Sequence, residues 1–259
     1  MPASEDQSLN QHPAEGRPDR RLPARLQRLL LRPPQELPGL IWKNLTYPFT
    51  AQAAEARFDR RMGIDTAGYL APFELGLPDR GVAHSTGYGA TPPKVFRHLI
   101  AQLGHPLAGR VFIDVGAGKG RVLLLAARYP FDRVIGLELS PRLLAIARQN
   151  IARTGPAARP SGLAAIEPVE ADATEYDWPN APSVLFLFNP LGPLKLREFA
   201  DRLHASLRAH PRPLSVIYYH PKHAEVFDPA IFRRRDIGDI PRDPTDRHHF
   251  GATVFEARE

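Results

Sequence analysis

The stretch Val111-Phe-Ile-Asp-Val-Gly-Ala-Gly-Lys-Gly-Arg121 constrains the fold more than any other part of the chain. A short apolar run carries an acid, Asp114, near its end. Gly116, Gly118 and Gly120 follow at alternate positions, and helix-forming residues begin at once. Glycine permits the positive φ of a tight strand-to-helix reversal and leaves backbone uncovered where a ligand approaches. The first helical N–H groups point back at the loop, which suits a carboxylate or phosphate.

The flanking sequence alternates strand and helix patterns. Thr91 is expected to cap a helix opened by Pro92, with Val95, Phe96, Leu99, Ile100 and Leu103 on its inner side. Arg121–Arg128 is apolar almost all round and is expected to be buried. Arg133–Leu137, Ala164–Glu170, Ser183–Phe188 and Leu214–Tyr219 read as further strands. Between them lie helices marked by Leu143, Leu144, Ala147 and Ile151, starting at Ser140-Pro141, and by Leu196, Phe199, Ala200, Leu203 and Leu207. Ile231–Ile237 and Phe250–Ala257 have no full helix between them, so they are expected to pair antiparallel. The predicted fold is a Rossmann-like, doubly wound α/β domain over residues 91–259. Its seven-stranded, mostly parallel sheet closes with a C-terminal antiparallel hairpin.

The glycine spacing narrows the ligand. A dinucleotide fingerprint reads G-x-G-x-x-G, whereas this loop reads G-x-G-x-G with an Asp two residues before it. It resembles motif I of the class I S-adenosylmethionine-dependent methyltransferases, whose loop holds the methionine half of the cofactor. That resemblance assigns Asp114, Gly116, Ala117, Gly118 and Gly120 to cofactor binding. Glu138, 18 residues after Gly120 at the end of the second strand, is placed to accept both ribose hydroxyls, and Leu139 would lie against the adenine. After the third strand, Asp172 and Ala173 match the family positions that bond the adenine amino group and ring.

The fourth strand runs into Asn189-Pro190-Leu191-Gly192, which is similar to motif IV of the amino-methyltransferases. In that group an Asp, Asn or Ser before Pro bonds the acceptor nitrogen, so Asn189 and Pro190 become the catalytic candidates. The family pattern continues with a second Pro and an aromatic; Leu191 and Gly192 stand there instead, which weakens a flat base as acceptor. Upstream, Phe58-Asp-Arg-Arg-Met-Gly-Ile-Asp65-Thr66 and His84-Ser-Thr-Gly-Tyr88-Gly-Ala-Thr91, with Gly118-Lys-Gly-Arg-Val-Leu-Leu-Leu, resemble a bacterial group related to the histone-lysine methyltransferases of the Dot1 kind. In those relatives an aromatic before the core closes over the cofactor, and Tyr88 is the candidate here.

Composition excludes several chemistries. With no cysteine there is no thiolate catalysis, disulfide or Cys-ligated metal. Adjacent His248 and His249 point to opposite sides of an extended chain, and no metal is expected. No apolar run approaches the ~20 residues of a membrane span, and the first residues carry no leader pattern, so a cytoplasmic location is expected. Residues 1–40 read as a disordered or partly helical basic tail. Within it, 21–32 form a basic amphipathic stretch that fits a helix packed on the domain better than a membrane-surface contact. Residues 41–90 read as a lid-like extension with a helix near Ala51–Met62. The net charge of +6 permits a nucleic-acid partner without requiring one.

The expected function is methyl transfer to a nitrogen, conceivably a protein lysine, with the acceptor (protein, RNA or small molecule) left open. A non-catalytic cofactor-binding module and a nicotinamide-dependent oxidoreductase are the competing readings.

Overall fold

A computed structural model of the protein describes residues 51–77, 84–154, 164–246 and 249–258. The chain divides into two compact units, Met1–Thr46 and Tyr47–Glu259, and every described residue belongs to the second. The expectations for the tail 1–40, the basic stretch 21–32, residues 41–50 and His248 therefore fall outside the described residues.

Seven strands build the main sheet: β1 (Val111–Val115), β2 (Arg133–Glu138), β3 (Ala165–Glu170), β4 (Ser183–Phe188), β5 (Leu214–Tyr219), β6 (Phe232–Ile237) and β7 (Ala252–Ala257). Their spatial order is β3-β2-β1-β4-β5-β7-β6. The first five run parallel, in register Val111↔Arg133, Val111↔Ser183, Arg133↔Ala165 and Ser183↔Leu214. β7 lies antiparallel between β5 and β6, because no crossover helix connects the last two strands. This is the predicted topology, closing hairpin included.

Burial follows position in the sheet. Every residue of central β1 is buried, whereas edge strand β3 is half-exposed and carries Pro168, which cannot donate to a ladder. At the other edge Arg233, Arg234, Arg235 and Asp236 of β6 face solvent.

Among the described residues, α1 (Pro93–Ala101), α2 (Arg121–Ala126), α3 (Pro141–Arg153) and α4 (Pro193–Ala209) flank the sheet. Side chains alternate across the pleat and so create two cores. Phe112, Val134, Phe186 and Ile217 pack with Val95, Phe96 and Leu99 of α1 and Leu123 of α2. Val111, Ile113, Ile135, Leu185 and Val216 pack with Leu196, Phe199 and Leu203 of α4. The predicted inner stripes of α1 and α4 are buried.

One boundary differs. The cap of α1 is Pro92, with ψ 131° and no side-chain hydrogen bond, rather than Thr91. A residue before proline is driven out of the helical region, so Pro92 stays extended and Pro93 opens the helix.

Residues 51–62 are helical, as expected, and the chain then descends onto the glycine loop. A two-residue antiparallel ribbon, Tyr69–Leu70 with Tyr88–Gly89, follows.

Candidate active site

The loops at the carboxyl ends of β1, β2, β3 and β4 surround a cavity of about 880 Å3. In an open parallel sheet this is where ligands sit, on either side of the point where strand order reverses; here β1 is that point. Asp114, Gly116, Ala117, Gly118, Glu138, Leu139, Asp172, Ala173, Asn189, Pro190 and Tyr88 all line it.

Gly120 does not. It caps α2 with φ 85°, and a Cβ there would stand 3.1 Å from Ala147 Cβ of α3. Its absent side chain brings two helices together.

The loop spends its amides differently from the simple expectation of bare backbone. Gly116 N and Ala117 N both donate to Leu137 O at 2.9 Å, and Gly120 N donates to Ala117 O. Gly118 N donates to Glu138 Oε2 at 2.7 Å, while Ser140 N donates to Oε1 at 2.8 Å. Glu138 is thus held in one orientation at the mouth of the cavity.

The glycines also make room for protein. A Cβ at Gly116 (φ 79°) would lie 2.8 Å from Pro190 Cβ, and one at Gly118 (φ 55°) 2.5 Å from the Tyr88 ring. Pro190 and Tyr88, two residues singled out on separate sequence grounds, therefore touch the glycine loop directly. Tyr88 is buried and donates to Thr66 O at 2.6 Å, with Lys119 Nζ 5.5 Å from its ring centroid. Burial raises its phenol well above the ordinary value, so it stays a neutral donor.

Beneath the loop lies a buried polar cluster that sequence patterns did not announce. Arg121 is 2% exposed; its Nη2 lies 3.3 Å from Asp59 Oδ1, its Nε donates to Thr66 Oγ1 at 2.7 Å, and its guanidinium stands 4.9 Å over the Phe58 ring. Asp59 also accepts from Thr66 Oγ1 and from the Thr66 and Ala67 amides. Lys119 Nζ meets Asp65 Oδ1 at 2.9 Å, and Asn150 of α3 binds both Asp65 and Lys119 main chain. Residues 58–67 are in this way stitched to the glycine loop. The sequence had set Phe58–Thr66 beside Gly118-Lys-Gly-Arg only as a family resemblance, and Arg121, a charge at the head of an otherwise apolar helix, was the one physical hint of their contact.

At the end of β4, Asn189 adopts φ 43°, an uncommon conformation for a residue with a Cβ. Its Oδ1 accepts from Tyr218 Oη at 3.0 Å and its main-chain O accepts from Thr86 Oγ1. Burial pushes the Tyr218 phenol up to about 12, so at neutral pH it remains the donor. His220, φ 58°, ends neighbouring β5 and stacks on Phe250 with ring centroids 3.6 Å apart. Asp172 Oδ1 accepts from Thr174 N and Oγ1, which sets the turn after β3.

Seven carboxylates line the cavity against three Lys or Arg. Asp114 is 3% exposed, and burial, with repulsion from Glu138 second, raises its pKa well above the ordinary carboxylate range. Burial raises Glu138 too, against the opposing pull of the Ser140 and Gly118 amides. Such a lining favours a ligand that brings positive charge.

Residues 112–210 match a family of methyltransferase domains. Among curated proteins, a segment of the chain is 34% identical over 103 residues to a ribosomal protein L11 methyltransferase of Azotobacter vinelandii, covering 38% of this chain and 34% of that protein. A ribosomal protein L11 methyltransferase of Sorangium cellulosum is 29% identical over 178 residues, 63% of this chain and 54% of its own length. The chain thus spans about a third to a half of these relatives. A ribosomal protein L11 methylase structure from Lactobacillus delbrueckii subsp. bulgaricus superposes with a TM-score of 0.44 at 15% identity, over 64% of this chain and 77% of that one. Residues 112–210 thus resemble methyltransferase domains, and a cationic cofactor such as S-adenosylmethionine fits the two buried carboxyl groups of Asp114 and Glu138.

Among the described residues no group of three or more His, Asp or Glu is placed to hold a metal ion, and no helix is long and apolar enough to cross a membrane.

Proposed function

We propose that the protein is a cytoplasmic S-adenosylmethionine-dependent methyltransferase acting on a nitrogen, with a protein lysine side chain as the favoured acceptor. The observation that carries this reading is one cavity joining the Asp114–Gly118 loop and Glu138 to Asn189-Pro190. The names of the relatives point to a ribosomal protein as their substrate, and the resemblance of residues 58–190 to lysine methyltransferases supports the same acceptor class.

When bound, S-adenosylmethionine supplies a methyl group already activated by a positively charged sulfur. Asp114 and the loop 116–118 are assigned to its methionine half, Glu138 to the ribose, and Leu139, Asp172 and Ala173 to the adenine. Leu139 is 41% exposed, an apolar side chain with surface to offer a base. The chain's task is then to align the acceptor and keep water out. An amine must be neutral to attack, and a cavity that strips water from a lysine ammonium lowers its pKa. Asn189 Oδ1 and the Pro190 carbonyl accept from the amine N–H groups. Tyr218 holds that amide in one orientation, and Tyr88 closes the loop side.

Asn189→Gly removes the amide while suiting φ 43°. It is expected to leave cofactor affinity within about twofold and to lower turnover by roughly a hundredfold, on the scale of a lost positioning contact. A fully active variant on the true acceptor rules this assignment out. Incubating the protein with radiolabelled cofactor and a cell lysate identifies the acceptor: label in protein supports the proposal, and label only in RNA or small molecules refutes the lysine assignment.

Cofactor affinity is also expected to rise with pH. The free protein holds Asp114 and Glu138 protonated above the ordinary carboxylate range, and a cation favours their ionised forms. Between the ordinary and the raised pKa, binding therefore releases protons and tightens as pH increases. In the same window the free fold binds more protons than the unfolded chain, so these two groups make stability fall with rising pH. Calorimetric titrations from acidic to neutral pH check both signs, and a flat binding profile excludes these carboxylates as cofactor partners.

A further inference from the structure

The amino ends of the parallel strands enclose a second cavity of about 880 Å3, remote in the sheet from the glycine loop. Arg110, Arg212, Arg233, Arg258 and His105 line it, with Glu256 as the one acid among its lining residues. Four guanidinium groups around one carboxylate leave an excess of positive charge that attracts an anion.

Two of the arginines are oriented by main-chain carbonyls. Arg110 Nε donates to Pro106 O at 3.0 Å and Arg258 Nε to Pro229 O at 2.9 Å. Each bond orients a planar guanidinium and leaves its terminal NH2 groups without a protein acceptor among the described residues. Arg212 has a structural role as well: its Nη1 donates to Ser206 O and His210 O at the end of α4, and its Nη2 to Ser206 Oγ. Its Nε is nevertheless buried without a partner. Arg233 makes no side-chain hydrogen bond or ion pair among the described residues, and it lies across from Glu256 in the β6–β7 register. On the wall, His105 Nε2 is 2.9 Å from Ser215 Oγ. Burial lowers Arg110 and Arg212 from their ordinary pKa, yet guanidinium remains charged at any physiological pH.

We propose that this cavity binds a phosphate-bearing ligand, gripped by the terminal NH2 groups of Arg110 and Arg258 with Arg233 completing the charge. Guanidinium forks match phosphate oxygens in paired hydrogen bonds, and anchoring through Nε lowers the ordering cost of binding. The phosphate belongs to a small free compound or to an RNA backbone, and the two are separable by experiment.

The full chain is titrated with pyrophosphate and, separately, with a short single-stranded RNA, at ionic strength matched with sodium chloride. Pyrophosphate is expected to raise the Tm where chloride does not. Arg110→Gln/Arg258→Gln is expected to weaken pyrophosphate binding at least about tenfold, one lost charge-assisted contact or more. Arg233→Gln, which removes the charge without setting a second carboxylate opposite Glu256, is expected to weaken it several-fold and keeps the test valid if the double variant folds poorly. RNA that competes with pyrophosphate assigns the site to a nucleic-acid backbone; pyrophosphate binding without RNA binding assigns it to a free phosphate compound. No pyrophosphate effect on the wild type, or an effect unchanged in Arg233→Gln, overturns the proposal. S-adenosylmethionine affinity is expected to be unchanged in these variants, which separates this site from the cofactor cavity.

Discussion

Gly118→Val is expected to weaken S-adenosylmethionine binding by about a hundredfold or more while the sheet stays folded. Two costs coincide at this position. The residue sits at φ 55°, and a Cβ would stand 2.5 Å from the Tyr88 ring. The left-handed region costs a residue with a Cβ roughly 1–2 kcal/mol, and overpacking adds about 1–3 kcal/mol. Tyr88 cannot swing aside freely, because its hydroxyl is bonded to Thr66 O in a buried setting. The loop must move instead, and Glu138 then loses its bond from Gly118 N. Calorimetry gives the affinity and circular dichroism the fold. Gly238→Ala is the control, since a Cβ there meets nothing within 4 Å. Equal affinities in wild type and Gly118→Val are incompatible with the loop as cofactor site.

Arg121→Met is expected to cost about 3–5 kcal/mol of stability, the usual penalty for stranding the partner of a buried ion pair. Asp59 keeps its bonds from Thr66 and Ala67 but loses its compensating charge in a site sealed from water. For a domain of this size the loss corresponds to a Tm lower by roughly 10 °C. Asp59→Asn/Arg121→Met removes both charges and is expected to recover part of the loss, so the double-mutant cycle reads the coupling directly. A single-variant penalty below about 1 kcal/mol would mean the pair is not sealed from solvent. Because Thr66 bonds both Arg121 and Tyr88, cofactor binding is expected to weaken along with stability.

The helical stripes were legible because burial repeats with the backbone. Val95, Phe96, Leu99 and Ile100 recur at helical spacing, and all four are buried. The helix start was misplaced by one residue, because the conflict between Pro92 and Pro93 outweighs the capping preference of Thr91. The site was legible as a set of strand-end residues in order along the chain: eleven of those proposed line one cavity, and Gly120 serves packing instead.

The amino-acid sequence by itself determined the alternation of elements, the strand-to-helix loop at Gly116–Gly120 and the antiparallel close of the sheet. Those follow from local periodicity, turn chemistry and connection length, which act over a few residues. Tertiary structure alone decided that Tyr88 and Pro190 fill the space beside Gly118 and Gly116, and that Arg121 is neutralised by Asp59 sixty-two positions away. A missing Cβ or a buried charge acquires its meaning from whatever packs against it, and the chain brings those neighbours together only once the sheet has formed.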